Sequence, residues 1–221
     1  KQVPYGANGL ALIETITDEH VMPELKECKF RIACDVTNPL CGANGCSAVF
    51  GPQKGATQTM IAKMDTWLMN YAKKTKEKYS GANPNRAGTG AAGGLGFAFL
   101  SYTNAVLESG VKIILEETKL ESFIKNADFV ITGEGRLDGQ TVMGKAPIGV
   151  AEIAKKYEKK VLAFGGCVAE DATLCNQYGI DAFFPILRTV TTLKEAMDFN
   201  HAKENLSAAV EQVFRLIQSF K

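Results

Sequence analysis

Residues 127–151 read ADFVITGEGRLDGQTVMGKAPIGVA, and this stretch decides the fold. Its residues 129–132 are an apolar, largely β-branched run that predicts a strand, and Gly133 and Gly135 are expected to end it. Pro147 suits the first turn of a helix, where its missing N–H costs nothing. Strand, glycine-rich charged loop and helix is the arrangement by which α/β proteins hold phosphate groups, so the stretch predicts an α/β fold.

The predicted loop carries five polar side chains, namely Glu134, Arg136, Asp138, Gln140 and Lys145. Residues 139–145 read G-x-x-x-x-G-K, as in a P-loop, but Ala146 stands where Ser or Thr would meet magnesium. An ordinary P-loop is therefore not expected. A loop that handles phosphate or another anion is favoured over a purely structural β–α turn, because four charged groups are more than a turn requires.

The composition is typical of a globular protein, and the net charge is too small to produce a strong electrostatic field. Of 221 residues, 46% are hydrophobic and 22% are charged, and the net charge is +1. We therefore expect a buried core, no nucleic-acid partner and no membrane partner, since no apolar run approaches the roughly 20 residues of a span. Lys1 is not an initiator methionine, so the chain is expected to have been processed, trimmed or cut from something longer.

The six cysteines form no C-x-x-C pair, and only two histidines occur. Reduced cysteines in a cytoplasmic enzyme are the expectation, because a zinc site would need tighter spacing. A disulfide between Cys41 and Cys46 would need an oxidising compartment.

Further elements are predicted from hydrophobic periodicity and turn residues. Strands are predicted at 30–36, 161–166 and 181–186, and a strand or short apolar segment at 10–16. Helices are predicted near 47–50 and at 57–79, 97–107, 111–126 and 171–178. Residues 192–220 are predicted to form one or two helices, with a capping box of Thr192 and Glu195 at the start. Residues 127–221 thus read β-α-β-α-β-α, which is typical of a parallel sheet, although three strands are fewer than the usual 5–6 or so.

Residues 88–96, GTGAAGGLG, match G-x-G-x-x-G literally. The dinucleotide fingerprint requires a strand before these glycines, and residues 80–87 are not one, so a nucleotide-dependent dehydrogenase is not expected. Two interpretations stay open for the glycines: close packing of the helix that they open, or backbone amides placed against an anionic ligand.

Three long segments carry a family resemblance: residues 34–56, CDVTNPLCGANGCSAVFGPQKGA; residues 88–99, GTGAAGGLGFAF; and residues 131–157, ITGEGRLDGQTVMGKAPIGVAEIAKKY. They resemble the bacterial glycerate kinase family of two-domain proteins. The resemblance implies two α/β domains, with 1–118 part of a central α/β domain. Residues 119–221 would then belong to a Rossmann- or flavodoxin-like three-layer domain without its N-terminal strands.

The family's N-terminal segments, with a PDSFK-like start and DGGEGT-like and GGSATND-like stretches, have no counterpart in this sequence. The chain therefore resembles the C-terminal part of the family only, and we expect the isolated chain to be a truncated, inactive fragment. The resemblance therefore implies a protein partner, which would be either the missing N-terminal segment or a second copy of the chain in a homodimer.

The resemblance also implies a chemistry: transfer of the γ-phosphoryl group of ATP to the 2-hydroxyl of glycerate, with Mg²⁺ as cofactor, in the cytoplasm. The alternative is a non-catalytic module that binds a small anion or a nucleotide.

Site roles follow as hypotheses from this chemistry. Lys145 and Lys54 would face phosphate charges, as would the amides of Gly90, Gly93 and Gly94, while Asp35 or Asp138 would accept the glycerate proton. Glu134 or Asp138 would lie near magnesium, Arg136 would bind the glycerate carboxylate, and Asn38 and Gln140 would complete the substrate contacts. The competing explanation is a helix cap or surface ion pair for each charged residue, and a solvated side chain for Lys54.

Overall fold

The computed structural model describes residues 2–220 and divides the chain into two compact units between Gly110 and Val111. Each unit contains a parallel sheet flanked by helices, which confirms the α/β class. The domain boundary predicted between residues 118 and 119 stays a prediction. Among the residues that the structure describes, no helix is long and apolar enough to cross a membrane.

The first unit is built from short strands and one long helix. Its elements are α1 (Ala7–Leu10), β1 (Arg31–Ala33), α2 (Cys46–Phe50), α3 (Gln58–Lys78), α4 (Leu95–Tyr102) and β2 (Val106–Glu108), and α5 (Gly110–Glu117) begins at its last residue. Short 3₁₀ turns lie at Pro23–Lys26, Pro52–Lys54 and Ala91–Gly94. The unit's core contains Leu40, Leu68 and Phe97, with Phe97 fully buried.

Of the two possibilities predicted for residues 10–16, a strand or a short apolar segment, the strand is absent, because α1 ends at Leu10 and irregular backbone follows. Another prediction in this unit is wrong. The helix predicted to run to Leu107 ends at Tyr102, because Thr103 is extended and its hydroxyl donates to the carbonyl of Phe99 at 2.7 Å. Leu107 lies instead on β2, which pairs in parallel with β1.

The second unit has the predicted alternation of strands and helices. Its elements are α6 (Leu120–Ile124), β3 (Phe129–Leu137), α7 (Ala146–Lys156), β4 (Lys160–Val168), α8 (Leu174–Gln177), β5 (Ala182–Pro185), α9 (Leu193–Ala196) and α10 (Phe199–Gln218). Short 3₁₀ turns lie at Thr141–Met143 and Glu170–Thr173. The strands pair in parallel in the order β3-β4-β5, and the predicted capping box at Thr192 is present.

Successive side chains along β4 point to opposite faces of the sheet, and each face is covered by a helix. Val161 and Ala163 pack with Ile148 and other residues of α7. Leu162 and Phe164 pack on the opposite face with Val213 of α10. The unit is therefore a three-layer α/β sandwich, as the family resemblance implies.

The prediction that Gly133 and Gly135 end the first strand of this unit is wrong, since β3 continues to Leu137. A Cβ at Gly133 would lie 2.3 Å from the carbonyl oxygen of Phe164 on β4. The glycine thus permits close approach of the two strands. As a result Glu134 and Arg136 lie on the strand and not in the loop.

Two smaller differences concern helices and cysteines. The helix predicted at 111–126 is two helices, α5 and α6, separated at Lys119, whose φ is +53°. The helix predicted at 171–178 is a 3₁₀ turn followed by α8. All six cysteines are free thiols.

Candidate active site at the carboxyl end of the second sheet

The candidate site lies where β3 ends and the loop to α7 begins. Glu134 and Arg136 are on the last residues of β3, Asp138 follows the strand, and Lys145 occupies the N-cap position of α7. Open parallel sheets bind ligands at the carboxyl ends of their strands. The fold therefore brings four charged residues to the edge where a ligand is expected.

Lys145 is shared between two carboxylates. Its Nζ lies 3.7 Å from Glu134 Oε2 and 3.6 Å from Asp138 Oδ1. Both separations exceed the range of roughly 2.7–3.2 Å for a good hydrogen bond. The two carboxylates are about four-fifths buried, with 20% and 17% of their side chains exposed, whereas Lys145 is 39% exposed. The ammonium group therefore balances two acids while remaining accessible from solvent.

Asp138 has further partners. The Nε of Arg136 lies 3.2 Å from Asp138 Oδ2, and the amide of Gln140 donates to Asp138 Oδ1 at 3.0 Å. Desolvation raises the pKa of the Asp138 carboxyl, but the Gln140 amide and the charges of Lys145 and Arg136 outweigh it and leave the pKa below its ordinary value. Asp138 is therefore ionised at neutral pH.

Thr141 connects the two acids, and the sequence interpretation missed it. Its hydroxyl donates a short hydrogen bond to Glu134 Oε1 and accepts one from the Asp138 amide at 3.1 Å. Its own amide donates to the Asp138 carbonyl at 3.0 Å, and the residue is fully buried. A threonine three residues after an aspartate in a glycine-bounded turn is the signal that could have identified it.

The glycines of this loop serve packing and turning. A Cβ at Gly139 would lie 2.5 Å from Oδ2 of Asp171, a residue that follows β4, so the glycine leaves room for the Asp171 side chain. Gly144 has φ +94°, a left-handed conformation that favours glycine immediately before Lys145. The side chain of Gln140, a predicted substrate contact, is exposed.

The remaining predicted site residues belong to the first unit, and two of them make structural contacts. Asp35 Oδ1 accepts a hydrogen bond from the amide of Gly110 at 3.0 Å, at the start of α5. Asn38 Nδ2 donates to the carbonyl of Asn44 at 2.9 Å. Asp35 thus makes a contact at the start of a helix, which is the structural role named above as the alternative to a catalytic one.

In the glycine-rich segment, two of the three candidate positions, Gly90 and Gly94, favour the close-packing interpretation. A Cβ at Gly90 would lie 2.3 Å from the carbonyl oxygen of Pro39, and the amide of Gly90 already donates to the carbonyl of Asn38 at 2.9 Å. A Cβ at Gly94 would lie 2.9 Å from Leu40. Gly93, by contrast, has φ +70° and nothing within 4 Å of a Cβ, so it faces open space.

Gly93 and Lys54 both line a cavity of about 780 Å³ in the first unit. Its other lining residues are mostly apolar, including Phe50, Met60 and Met64. The volume is within the range of roughly 300–1,000 Å³ of small-molecule sites. The sequence interpretation placed Lys54 and Gly93 near phosphate but did not predict their apolar surroundings.

Comparison with known proteins decides the family. The model of the glycerate kinase family matches residues 1–218.

The chain belongs to the glycerate kinase family.

It is 42% identical over 212 residues to a glycerate 2-kinase of Escherichia coli (strain K12), covering 96% of this chain and 55% of that protein. It is 40% identical to a glycerate kinase of Haemophilus influenzae, covering 98% of this chain and 57% of that protein. A crystal structure of a Salmonella typhimurium LT2 protein assigned as glycerate kinase 2 superimposes with a TM-score of 0.81 at 39% identity, covering 98% of this chain and 55% of that one.

These figures confirm the family resemblance, and they also show that the chain spans little more than half the length of the relatives that it matches. Within that span, the second unit brings together Glu134, Arg136, Asp138 and Lys145. We refer to these four residues as the charged array of this glycerate kinase family member.

Proposed function

We propose that this protein transfers the γ-phosphoryl group of ATP to the 2-hydroxyl of glycerate and so forms 2-phosphoglycerate and ADP. The names of its relatives support this reaction, one of them being a glycerate 2-kinase. The observation that carries the proposal is the charged array, in which Lys145 lies between Glu134 and Asp138 at the carboxyl end of β3. Phosphoryl transfer depends chiefly on positioning and on neutralising the charge of the phosphates, and the array supplies groups of both signs for that purpose.

Lys145 is the cation that we assign to the phosphates. It is the more accessible partner in both of its ion pairs, and neither carboxylate holds it at short range. An incoming phosphate oxygen can therefore approach its Nζ without first disrupting a tight pair. Lys54 and the Gly93 amide, which line the cavity of the first unit, are proposed as further phosphate contacts on the strength of the family resemblance.

Glu134 and Asp138 are the residues that we assign to Mg²⁺. Among the described residues, no group of three or more His, Cys, Asp and Glu side chains could hold a metal ion by itself. Magnesium, however, is usually bound through one or two carboxylates together with substrate phosphates, so two carboxylates facing one lysine fit it. When bound, the ion would neutralise charge on the phosphate oxygens.

The lowered pKa of Asp138 bears on which acid receives the glycerate proton. A carboxylate that is held in its charged form is a weak proton acceptor, so we assign Asp138 to orientation and metal binding. Asp35 is the remaining candidate acceptor. Its Oδ1 is bound to the Gly110 amide, which fixes the carboxylate, and we assign its Oδ2 to the substrate hydroxyl.

Arg136 is the residue that we assign to the carboxylate of glycerate. Its side chain is 64% exposed, although its Nε contacts Asp138. A guanidinium can engage one carboxylate through Nε and a second through its terminal nitrogens. Gln140 and Asn38 are proposed as additional substrate contacts, and the cytoplasm as the location, which is consistent with six free thiols.

The test is a coupled assay of ADP release by the product of the complete gene, with ATP, Mg²⁺ and glycerate, followed by ³¹P NMR of the product. We expect 2-phosphoglycerate. Lactate, which keeps the 2-hydroxyl, should be the better alternative acceptor, and 3-hydroxypropionate, which lacks it, should be inert.

Release of 3-phosphoglycerate would overturn the assignment of the hydroxyl. Binding of ATP or glycerate in a calorimeter without any turnover would instead favour the alternative, a non-catalytic module for small anions or nucleotides.

A further inference from the structure

We propose that Thr141 is a positioning residue whose hydroxyl fixes Glu134 and Asp138 relative to each other. The proposal rests on the proposed function, since it explains how the two acids are held ready for phosphoryl transfer. Thr141 itself is fully buried, so it acts through the acids and not on a substrate.

The hydroxyl is used as donor and acceptor at once. It donates to Glu134 Oε1 and accepts from the Asp138 amide at 3.1 Å. Only a hydroxyl-bearing side chain of this length can do both from a single atom. The side chain of one acid and the backbone of the other are thereby tied to the same oxygen.

The consequence for Glu134 is a fixed carboxylate orientation. Its Oε1 is held by Thr141, so its Oε2 is the oxygen turned toward Lys145, 3.7 Å away. Without the first contact, the carboxylate would be free to rotate about its last torsion, which has broad minima. Thr141 therefore determines which oxygen of Glu134 faces the array.

The consequence for Asp138 is a fixed backbone. Its amide and its carbonyl are both bound to Thr141, at 3.1 Å and 3.0 Å respectively. Its carboxylate is then directed by the Gln140 amide and by Arg136. Because Thr141 is fully buried, water cannot replace the hydroxyl, and its loss would leave the Asp138 amide without its acceptor.

Two substitutions separate this role from simple packing. Thr141→Val keeps the shape of the side chain and removes the hydroxyl, whereas Thr141→Ser keeps the hydroxyl and removes the methyl group. A packing residue should tolerate valine better than serine. A positioning residue should tolerate serine better than valine, so the two explanations predict opposite rankings.

The experiment measures kcat, the KM for glycerate and the melting temperature of both variants in the product of the complete gene. We expect Thr141→Val to lower kcat by about 10- to 100-fold, because small displacements of catalytic groups have effects of this order. We expect the KM to stay within a few-fold of wild type, and Thr141→Ser to restore most of kcat. Thr118→Val is the matched control, since the Thr118 hydroxyl donates only to carbonyls within α5 and is exposed.

Amide hydrogen exchange gives a readout that does not depend on activity. Thr141→Val should accelerate exchange of the Asp138 amide while leaving the amides of β4 unchanged, and Thr141→Ser should not. Unchanged kcat in Thr141→Val, or an equal loss of kcat in both variants, would overturn the proposal while leaving the proposed function intact. If the wild type shows no turnover, the proposed function fails, and unchanged Asp138 exchange in Thr141→Val would overturn the positioning role separately.

Discussion

The two ends of the β3–β4–β5 sheet each carry a cluster of charged residues, and the clusters differ in how closely their charges are paired. At the amino end, Asp181 Oδ2 accepts short hydrogen bonds from Lys155 Nζ and from the amide of Val161, the latter at 2.7 Å. At the carboxyl end, Lys145 lies 3.6 Å and 3.7 Å from its two carboxylates.

This difference separates a cluster that holds structure from one that is available to a ligand. Asp181 ties helix α7 to strand β4, because Lys155 belongs to the helix and Val161 to the strand. Lys145 stands at the N-cap of the same helix but is shared between two acids at long range. The presence of an ion cluster therefore does not by itself indicate a site, and the loose pairing at the edge where parallel sheets bind ligands is what makes the carboxyl-end cluster the candidate.

The strongest test of this contrast replaces Lys145, at the N-cap of α7, and Lys155, in its last turn, one at a time. We expect Lys145→Ala to lower turnover by about 100-fold or more, because the charge that we assign to the transferred phosphoryl group would be lost. We expect Lys155→Ala to leave turnover within a few-fold and to lower the free energy of unfolding by about 1 kcal/mol. The measurements are steady-state kinetics and urea denaturation, and an equal loss of turnover in both variants would abolish the distinction.

Arg136 tests whether the array also binds the acceptor. Arg136→Lys keeps the charge and removes the planar guanidinium, so we expect the KM for glycerate to rise about 10-fold with a smaller change in kcat. Arg215→Lys is the control, because Arg215 forms an exposed pair with Glu211 on α10. If Arg136→Lys lowers kcat and leaves the KM for glycerate unchanged, Arg136 would be assigned to the phosphates instead of to the acceptor.

The amino-end cluster should show its structural role through pH. Burial raises the pKa of the Asp181 carboxyl, but the hydrogen bonds from Lys155 and the Val161 amide outweigh it and leave the pKa below its ordinary value. Its stabilising contribution is therefore present above the unfolded-state pKa, roughly 4, and is lost as the pH falls through the lower folded-state pKa. In urea denaturation from pH 7 to pH 3, Asp181→Asn should be less stable than wild type near neutrality, and the difference should shrink toward acid pH.

Asp128→Asn serves as the control for this titration, because Asp128 is an exposed residue that precedes β3. A difference between wild type and Asp181→Asn that stays constant over the whole pH range would show that the ionised carboxylate is not what stabilises this end of the sheet.

The smallest effect is expected at Lys160. Its Nζ lies 3.5 Å from Asp181 Oδ1, but its side chain is 68% exposed, so solvent and salt screen the pair. Lys160→Ala should change the free energy of unfolding by less than about 0.5 kcal/mol and leave turnover unchanged. If Lys160→Ala lowers the free energy of unfolding as much as Lys155→Ala does, then distance and exposure do not rank the contributions of these ion pairs to stability correctly.

Much of this fold was predictable because its elements carry strong local signals. The alternation of apolar runs with helical periodicity predicted the order β3-α7-β4-α8-β5, and Thr192 with Glu195 predicted the start of α9. Gly133 was misinterpreted for a physical reason. A glycine that breaks a strand and a glycine that admits a neighbouring carbonyl are identical in sequence, and only the nearby Phe164 distinguishes them.

The candidate site was predictable where its residues are close in sequence. Glu134, Arg136, Asp138 and Lys145 lie within one strand and its loop, so their proximity follows from a single β–α unit. The helix-start contact of Asp35 was not predictable, because its partner Gly110 is 75 residues away along the chain. Thr141 was overlooked because its spacing from Asp138 indicates a turn contact only, and nothing in the sequence shows that the residue is buried.

The position of Lys145 at the start of α7 has a consequence for the balance between stability and activity. The helix begins without a side-chain cap, and the residue at its N-cap carries the charge that a helix amino terminus disfavours. Local helix energetics would prefer serine, aspartate or asparagine at this position. A population of variants selected for thermal stability alone should therefore tend to replace Lys145, whereas selection for turnover should retain it against the preference of its own helix.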